Sequence, residues 1–163
     1  MILGVVSDTH NRLSHIEKII DIFNSKKVDY VVHTGDITQA KTLKRFCRLN
    51  STLIGVYGNN DLNEKGLEET SLEHGFNLQN PPLVTNIGGR KIAILHEPDG
   101  IKGLIENETN LDLILHGHTH RYRLEDINGV KIFNPGECAG ILEGKNSVGL
   151  IYLHDLRIRR VFF

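Results

Sequence analysis

The sequence is poor in the features that cross-link a chain or anchor it. It has two cysteines, Cys47 and Cys138, and neither stands in a metal-type or redox-type pair. A disulfide framework is excluded, and two reduced thiols in a cytoplasmic protein are expected. No hydrophobic run approaches the ~20 residues that cross a bilayer, so no membrane partner is expected. The apolar opening, Ile2 to Val6, has no basic segment before it and meets Ser7-Asp8 at once, unlike a signal peptide. Neither sign of charge dominates: 19 Lys and Arg face 20 Asp and Glu, a net charge of −1. That leaves no electrostatic footprint for long nucleic acid, although a nucleotide-sized phosphate ester needs only a local positive site. Repeats, linkers and low-complexity stretches are missing. The 163 residues suit one domain spanning 1–163.

With 39% apolar and 24% charged residues the composition is that of an ordinary globular chain. Histidine departs from it, with nine in the chain. The first half alternates strand and helix. Apolar β-branched runs predict strands at Ile2–Ser7, Val28–His33 and Thr52–Tyr57. Helical spacing of apolar residues predicts helices at Asn11–Ser25, Gln39–Leu49 and Asn63–His74. That order implies parallel strands with right-handed crossovers. The second half changes character. Leu83–Ile87 and Lys91–Leu95 flank Gly88-Gly89-Arg90, and Tyr122–Ile127 and Val130–Phe133 flank Asn128-Gly129, both hairpin signals. A weak helix is expected at Ile101–Asn107, a buried strand at Leu111–Leu115, and a final antiparallel pair at Val148–Leu153 and Arg157–Val161. The fold class is therefore α/β with mixed sheets, two stacked and flanked by helices.

Five apolar runs end in a carboxylate, amide or imidazole. They deliver Asp8 and His10, then Asp36, then Asn59, then His96, then His118 and His120. In α/β sheets, ligands bind beyond the carboxyl ends of the strands; if these strands share a sheet, their ends meet in one crevice. Asp8 and His10 are two apart, as are His118 and His120, so in extended backbone each pair points one way. Nitrogen and oxygen donors without a thiolate suit a borderline-hard divalent ion such as Mn, Fe, Ni or Zn. Seven protein donors exceed what one open catalytic metal takes and suit two metals sharing a carboxylate. Glycines 35, 58 and 117 precede or adjoin ligands, where sharp exits from strands are expected. Singly, each Asp reads as a cap or turn residue and each His as a core residue. Their order carries the inference.

Asp8-x-His10, Gly35-Asp36, Gly58-Asn59-x-Asp61, a lone His96, and Gly117-His118-x-His120 resemble the calcineurin-like metallophosphoesterase superfamily. The short length and Asn134-Pro135-Gly136-Glu137 resemble its small YfcE/MJ0936-type phosphodiesterase branch. The resemblance implies a four-layer α/β/β/α sandwich of two mixed sheets. It implies that Asp8, His10, Asp36 and His120 hold one metal and Asp36, Asn59, His96 and His118 the other. Asp36 would bridge, and a metal-bound hydroxide would attack the phosphorus of a phosphodiester in line. The catalytic set is then Asp36, Asn59 and His118. The cofactors are two divalent ions, Mn or Ni first, with Fe, Zn and Co as alternatives. The implied partner is a small phosphodiester or nucleotide-like substrate, and a homodimer or higher homo-oligomer is compatible.

Asn60 departs from the resemblance. Many relatives carry a histidine there, resembling a general acid, and an amide cannot donate that proton. Good turnover of aryl diesters and poor turnover of alkyl phosphates are expected. Asp61 then has no histidine to orient and is read as a cap for the next helix. His96 continues as Glu97-Pro98 rather than Gly-His, so an extra site imidazole is absent. His33 and His116 either fill the core or steer a ligand; His15, His74 and His154 read as surface residues. Asn11 and Arg12 follow His10 and can meet phosphate or open the first helix. Arg157, Arg159 and Arg160 read as a charged edge strand. The rival readings are a binding module of the retromer-subunit type and a phosphomonoesterase.

Overall fold

Aliphatic side chains alternate between two cores along the first strand, β1 (Ile2–Val6). Leu3 and Val5 face one core and Val6 the other, as the period-two geometry of a strand requires. The computed structural model describes residues 1–142 and 144–163. β1 leads to α1 (Leu13–Ser25), β2 (Tyr30–His33), α2 (Ala40–Arg45), β3 (Thr52–Val56) and α3 (Leu67–His74). The buried stripe of α1 is Ile16, Ile19, Ile20 and Phe23, at helical spacing. A short strand, β4 (Asn77–Gln79), follows, then β5 (Leu83–Ile87), β6 (Arg90–Ile94), α4 (Ile101–Asn107) and β7 (Leu113–Leu115). The chain ends with the pairs β8 (Arg123–Ile127) and β9 (Val130–Asn134), then β10 (Ser147–Tyr152) and β11 (Arg157–Phe162).

The strands form two mixed sheets. One has the order β11-β10-β1-β2-β3-β4 and the other β5-β6-β7-β9-β8. β1 to β4 run parallel, as do β6, β7 and β9, while the flanking strands are antiparallel. Three apolar cores separate four layers. Ile16, Ile20, Phe23 and Leu43 pack the first helices on Val6, Val31 and Leu53. Leu3, Val5, Val32 and Val56 meet Ile92, Ile94, Leu115 and Phe133 between the sheets. Ile101 and Leu104 of α4 cover Ala93, Ile114 and Ile132 on the far side. The α/β/β/α sandwich expected from the sequence is therefore the fold. Among the described residues no helix is long and apolar enough to cross a membrane.

Several boundaries differ. α2 covers only the first part of Gln39–Leu49 and tightens into a 3-10 turn at Phe46–Arg48. α3 begins at Leu67, not Asn63. β4 carried no apolar run to announce it, since Asn77 and Gln79 flank a single leucine; its pairing with β3 is what makes it a strand. Both hairpins close on two residues with positive φ, Gly88-Gly89 and Asn128-Gly129, the mirror-image turns that match strand twist. Arg90 thus belongs to β6 rather than to the turn. The arginine-bearing β11 is an edge strand, as expected.

Candidate metal centre

The five ligand-bearing ends come from two sheets, not one. β1, β2 and β3 end at Asp8/His10, Asp36 and Asn59, while β6 and β7 of the other sheet end at His96 and His118/His120. Stacking brings both sets of carboxyl ends to one edge of the sandwich. His118 N crosses to the Asp8 carboxylate of the other sheet (3.2 Å), and neighbouring loops within each sheet are tied to one another. Asp8 N donates to Gly35 O (3.1 Å), His10 N to Asp36 O (3.0 Å) and Gly117 N to His96 O (3.0 Å).

The backbone is not extended at the paired donors. Asp8, His10, Asp36, His118 and His120 all have positive φ, between 37° and 67°, a region costly for residues with a Cβ. Asp-x-His and His-x-His therefore do not each serve one centre by strand alternation. Asp8 and His10 stay together, but His118 and His120 part. Gly35 uses the positive φ, at 105°, that its loop needs. Gly58 and Gly117 serve differently: a Cβ on Gly58 would overlap the Asp36 carboxyl group, and one on Gly117 would overlap the Ser7 hydroxyl.

Asp8, His10, Asp36 and His120 each offer a donor atom, and these atoms lie within 4.8 Å of one another. His10 Nε2 stands 3.4 Å from His120 Nε2 and 3.6 Å from Asp36 Oδ2. His120 Nε2 is 3.5 Å from Asp8 Oδ1. A second group adjoins the first. Asn59 Oδ1 is 3.0 Å from His96 Nε2 and 3.1 Å from His118 Nδ1, and His96 Nε2 is 3.4 Å from Asp36 Oδ1. Asp36 thus presents one oxygen to each group.

The protons identify what belongs between these atoms. His120 Nδ1 lies 3.1 Å from Glu137 Oε2 and His96 Nδ1 2.8 Å from Thr34 O. Both oxygens only accept, so each Nδ1 carries the hydrogen and each Nε2 faces the site. Around His96 Nε2 the neighbours, Asn59 Oδ1 and Asp36 Oδ1, are acceptors too. Acceptor oxygens gathered around one ring nitrogen call for positive charge between them, supplied by a proton on Nε2 or by a metal ion. Burial is the largest influence on Asp36 and opposes its charge, yet hydrogen bonds from His96 and Asn60 hold its carboxyl well below the usual range. Burial likewise opposes charge on His96, but its hydrogen bond to Asp36 raises its pKa. Burial raises Asp8, despite the Ser7 hydroxyl donating to it. The donor set fits divalent metal ions in both groups.

Other residues hold the loops. Asp61 does not cap α3, whose N-cap is Gly66. It accepts from Thr38 N (2.6 Å) and Gly58 N (2.7 Å), tying the Asp36 loop to the Asn59 loop. Asn60 donates from N and Nδ2 to the two oxygens of Asp36, at 3.0 and 2.8 Å. His33 is buried, accepts from Gly35 N (3.1 Å) and faces the Thr9 hydroxyl (3.0 Å); burial lowers its pKa to about 3. Burial likewise lowers that of His116 to about 4. His15 is half-buried on Cys138 O (2.7 Å) rather than free at the surface. Sequence reasoning missed Glu137 and Asn134 as supports. Asn134 Nδ2 donates to Gly117 O (2.9 Å) and holds the loop before His118. The Asn-Pro-Gly-Glu segment was visible, but only the stacking of the sheets shows what it touches.

An Asp/His/Asn donor set in two adjoining groups, at one edge of an α/β/β/α sandwich, defines a metal-dependent phosphoesterase. The calcineurin-like phosphoesterase superfamily domain matches residues 1–156, and the chain belongs to that superfamily. It is 33% identical over 163 residues to phosphodiesterase MJ0936 of Methanocaldococcus jannaschii, covering 99% of this chain and 98% of that protein. The solved structure of a novel archaeal phosphodiesterase superposes with a TM-score of 0.91 at 32% identity over 100% of both chains. Yfce, a phosphoesterase from E. coli, gives a TM-score of 0.69 at 23% identity over 99% of this chain and 98% of that one. Vps29 from Entamoeba histolytica complexed with Zn²⁺ gives 0.70 at 19% over 99% of each. These last two likenesses show the fold alone.

Proposed function

We propose that this enzyme hydrolyses phosphodiesters, with Asp8, His10, Asp36 and His120 holding one divalent ion and Asp36, Asn59, His96 and His118 the other. The observation that carries the reading is Asp36, whose two carboxylate oxygens face the two donor groups, 3.6 Å from His10 and 3.4 Å from His96. The phosphodiesterase name of the relative sharing 33% of its residues supports the substrate class. Two divalent ions held there would supply a nucleophilic oxygen at neutral pH and neutralise the phosphoryl oxygens. Asp36, Asn59 and His118 line the side where substrate meets them. Glu137 and Thr34 fix the imidazole tautomers, and Asn60 steadies Asp36 instead of donating a proton. Oxygen and imidazole donors without thiolate favour Mn or Ni, with Fe, Zn and Co as alternatives. The substrate is a small or nucleotide-like diester, and the enzyme acts in the cytoplasm as one domain, alone or as a homo-oligomer.

The test is metal-stripped protein reconstituted with Mn, Ni, Zn or Mg and assayed on p-nitrophenyl phosphate and bis(p-nitrophenyl) phosphate. Turnover of the diester should exceed that of the monoester, and Asp36→Ala or His118→Ala should lose both metal and turnover. Full metal content and activity in either variant would overturn the ligand assignment. No activity with any metal would favour a binding module.

A further inference from the structure

A cleft of about 280 Å³ opens beside the second donor group. Asn59 and His96 belong both to that group and to the cleft wall. The rest of the wall is largely apolar, with Leu62, Pro81, Pro82, Leu95 and Leu104 around it and Glu97 as its charged member. Leu62 is 63% exposed, an apolar side chain left in solvent at the edge of a polar site. A lone exposed leucine means little, but this one joins a concave apolar wall that ends on two donor residues. Among the described residues no lysine or arginine lines the cleft, so a second phosphate has no partner there and Glu97 repels it. The volume lies just below the ~300–1,000 Å³ of small-molecule sites, room for a ring rather than a second nucleotide.

We infer that this cleft is a specificity subsite taking a flat, uncharged ring, aryl or nucleobase, carried on one ester oxygen of the phosphodiester. It rests on the phosphodiesterase reading and adds to it the substituent selected. The subsite also gives a physical reason for preferring diesters. A diester can place a neutral group on each side of phosphorus, whereas a monoester offers a dianion and one group. Leu62 is the specificity residue, since its side chain would lose water only when a ring is bound.

Binding is read on the Mn-loaded protein by calorimetry with diphenyl phosphate, dimethyl phosphate and a dinucleoside monophosphate. Diphenyl phosphate should bind about tenfold more tightly than dimethyl phosphate, the size of effect one well-filled apolar contact gives. Leu62→Ser should remove most of that ratio while leaving dimethyl phosphate binding unchanged, and Leu62→Met should restore it. Tight binding of the dinucleoside monophosphate as well would assign a nucleobase; its failure beside tight diphenyl phosphate would assign an aryl ester. Equal affinities for the diphenyl and dimethyl esters, or a ratio untouched by Leu62→Ser, would overturn the subsite. Turnover of bis(p-nitrophenyl) phosphate in that case would leave the phosphodiesterase reading standing. Ring-selective, Leu62-dependent binding without turnover would overturn that reading and keep the subsite.

Discussion

Glu137 is buried behind His120 and is not one of the candidate ligands, yet its replacement by glutamine should weaken metal binding at one centre and spare the other. The carboxylate is fully buried. One oxygen lies 3.1 Å from His120 Nδ1 and the other accepts from Leu142 N at 2.5 Å. Each oxygen thus has its own donor. An amide keeps one acceptor and turns a donor towards the other partner. If the amide oxygen stays with His120, the Leu142 N–H faces an N–H group; in the other orientation, His120 does. Loss of an orienting carboxylate behind a ligand histidine costs about 10–100-fold in metal affinity, or about 1.4–2.7 kcal/mol. A buried donor without a partner costs about 1–3 kcal/mol of stability, and for a chain this long each kcal/mol lowers Tm by about 2–4 °C. Competition with a chromophoric chelator should therefore show one of two binding events weakened at least tenfold, at a temperature where the variant is folded. A variant that melts earlier but binds both ions within twofold of the parent would refute the orienting role and leave Glu137 as a packing group.

The buried histidines make stability depend on pH. His33 has a folded pKa of about 3 and His116 of about 4, against 6.5 in the unfolded chain. Between those values the unfolded state binds more protons, so each site should remove about 1.4 kcal/mol per pH unit as the solution is acidified below 6.5. Urea titrations of chelator-treated protein should show that slope and a shallower one in His33→Asn; equal slopes would remove His33 as its source. Gly58→Ala should displace Asp36, because the added methyl would overlap its carboxyl group; metal content near the parent's would contradict this. With Asn60 in place of a proton donor, alkyl leaving groups should depart slowly, by the ~10²–10⁴ that a missing general acid costs. Fast hydrolysis of an unactivated alkyl phosphomonoester would sink that expectation. Leu3→Ala in the core between the sheets should cost about 2–5 kcal/mol, measured by urea denaturation.

Much of the fold was legible because its signals are local. The alternation of β1, the apolar stripe of α1 and the two hairpin turns are set by side chains within one or two turns of each other. β4 was not legible, because Asn77-Leu78-Gln79 becomes a strand only by pairing with β3. The end of α2 was also hidden, since nothing in Phe46-Cys47-Arg48 separates a 3-10 turn from a continued helix.

The donors at the metal centre divide in the same way. Residue type and position at a strand end are properties of the sequence, and seven candidate donors in five ordered motifs could be named from it alone. Which donors share a centre is a property of the stacked sheets. Left-handed backbone at all four residues breaks strand alternation, so the spacing of two does not decide it: Asp8 and His10 stay together, while His118 and His120 part. Bonds between loops far apart in sequence, from Gly117 N to His96 O, 21 residues away, to His118 N on Asp8, 110 residues away, hold that conformation. Only there does Asp36 come to face both groups, Glu137 reach His120, and Asp61 tie two loops instead of capping a helix.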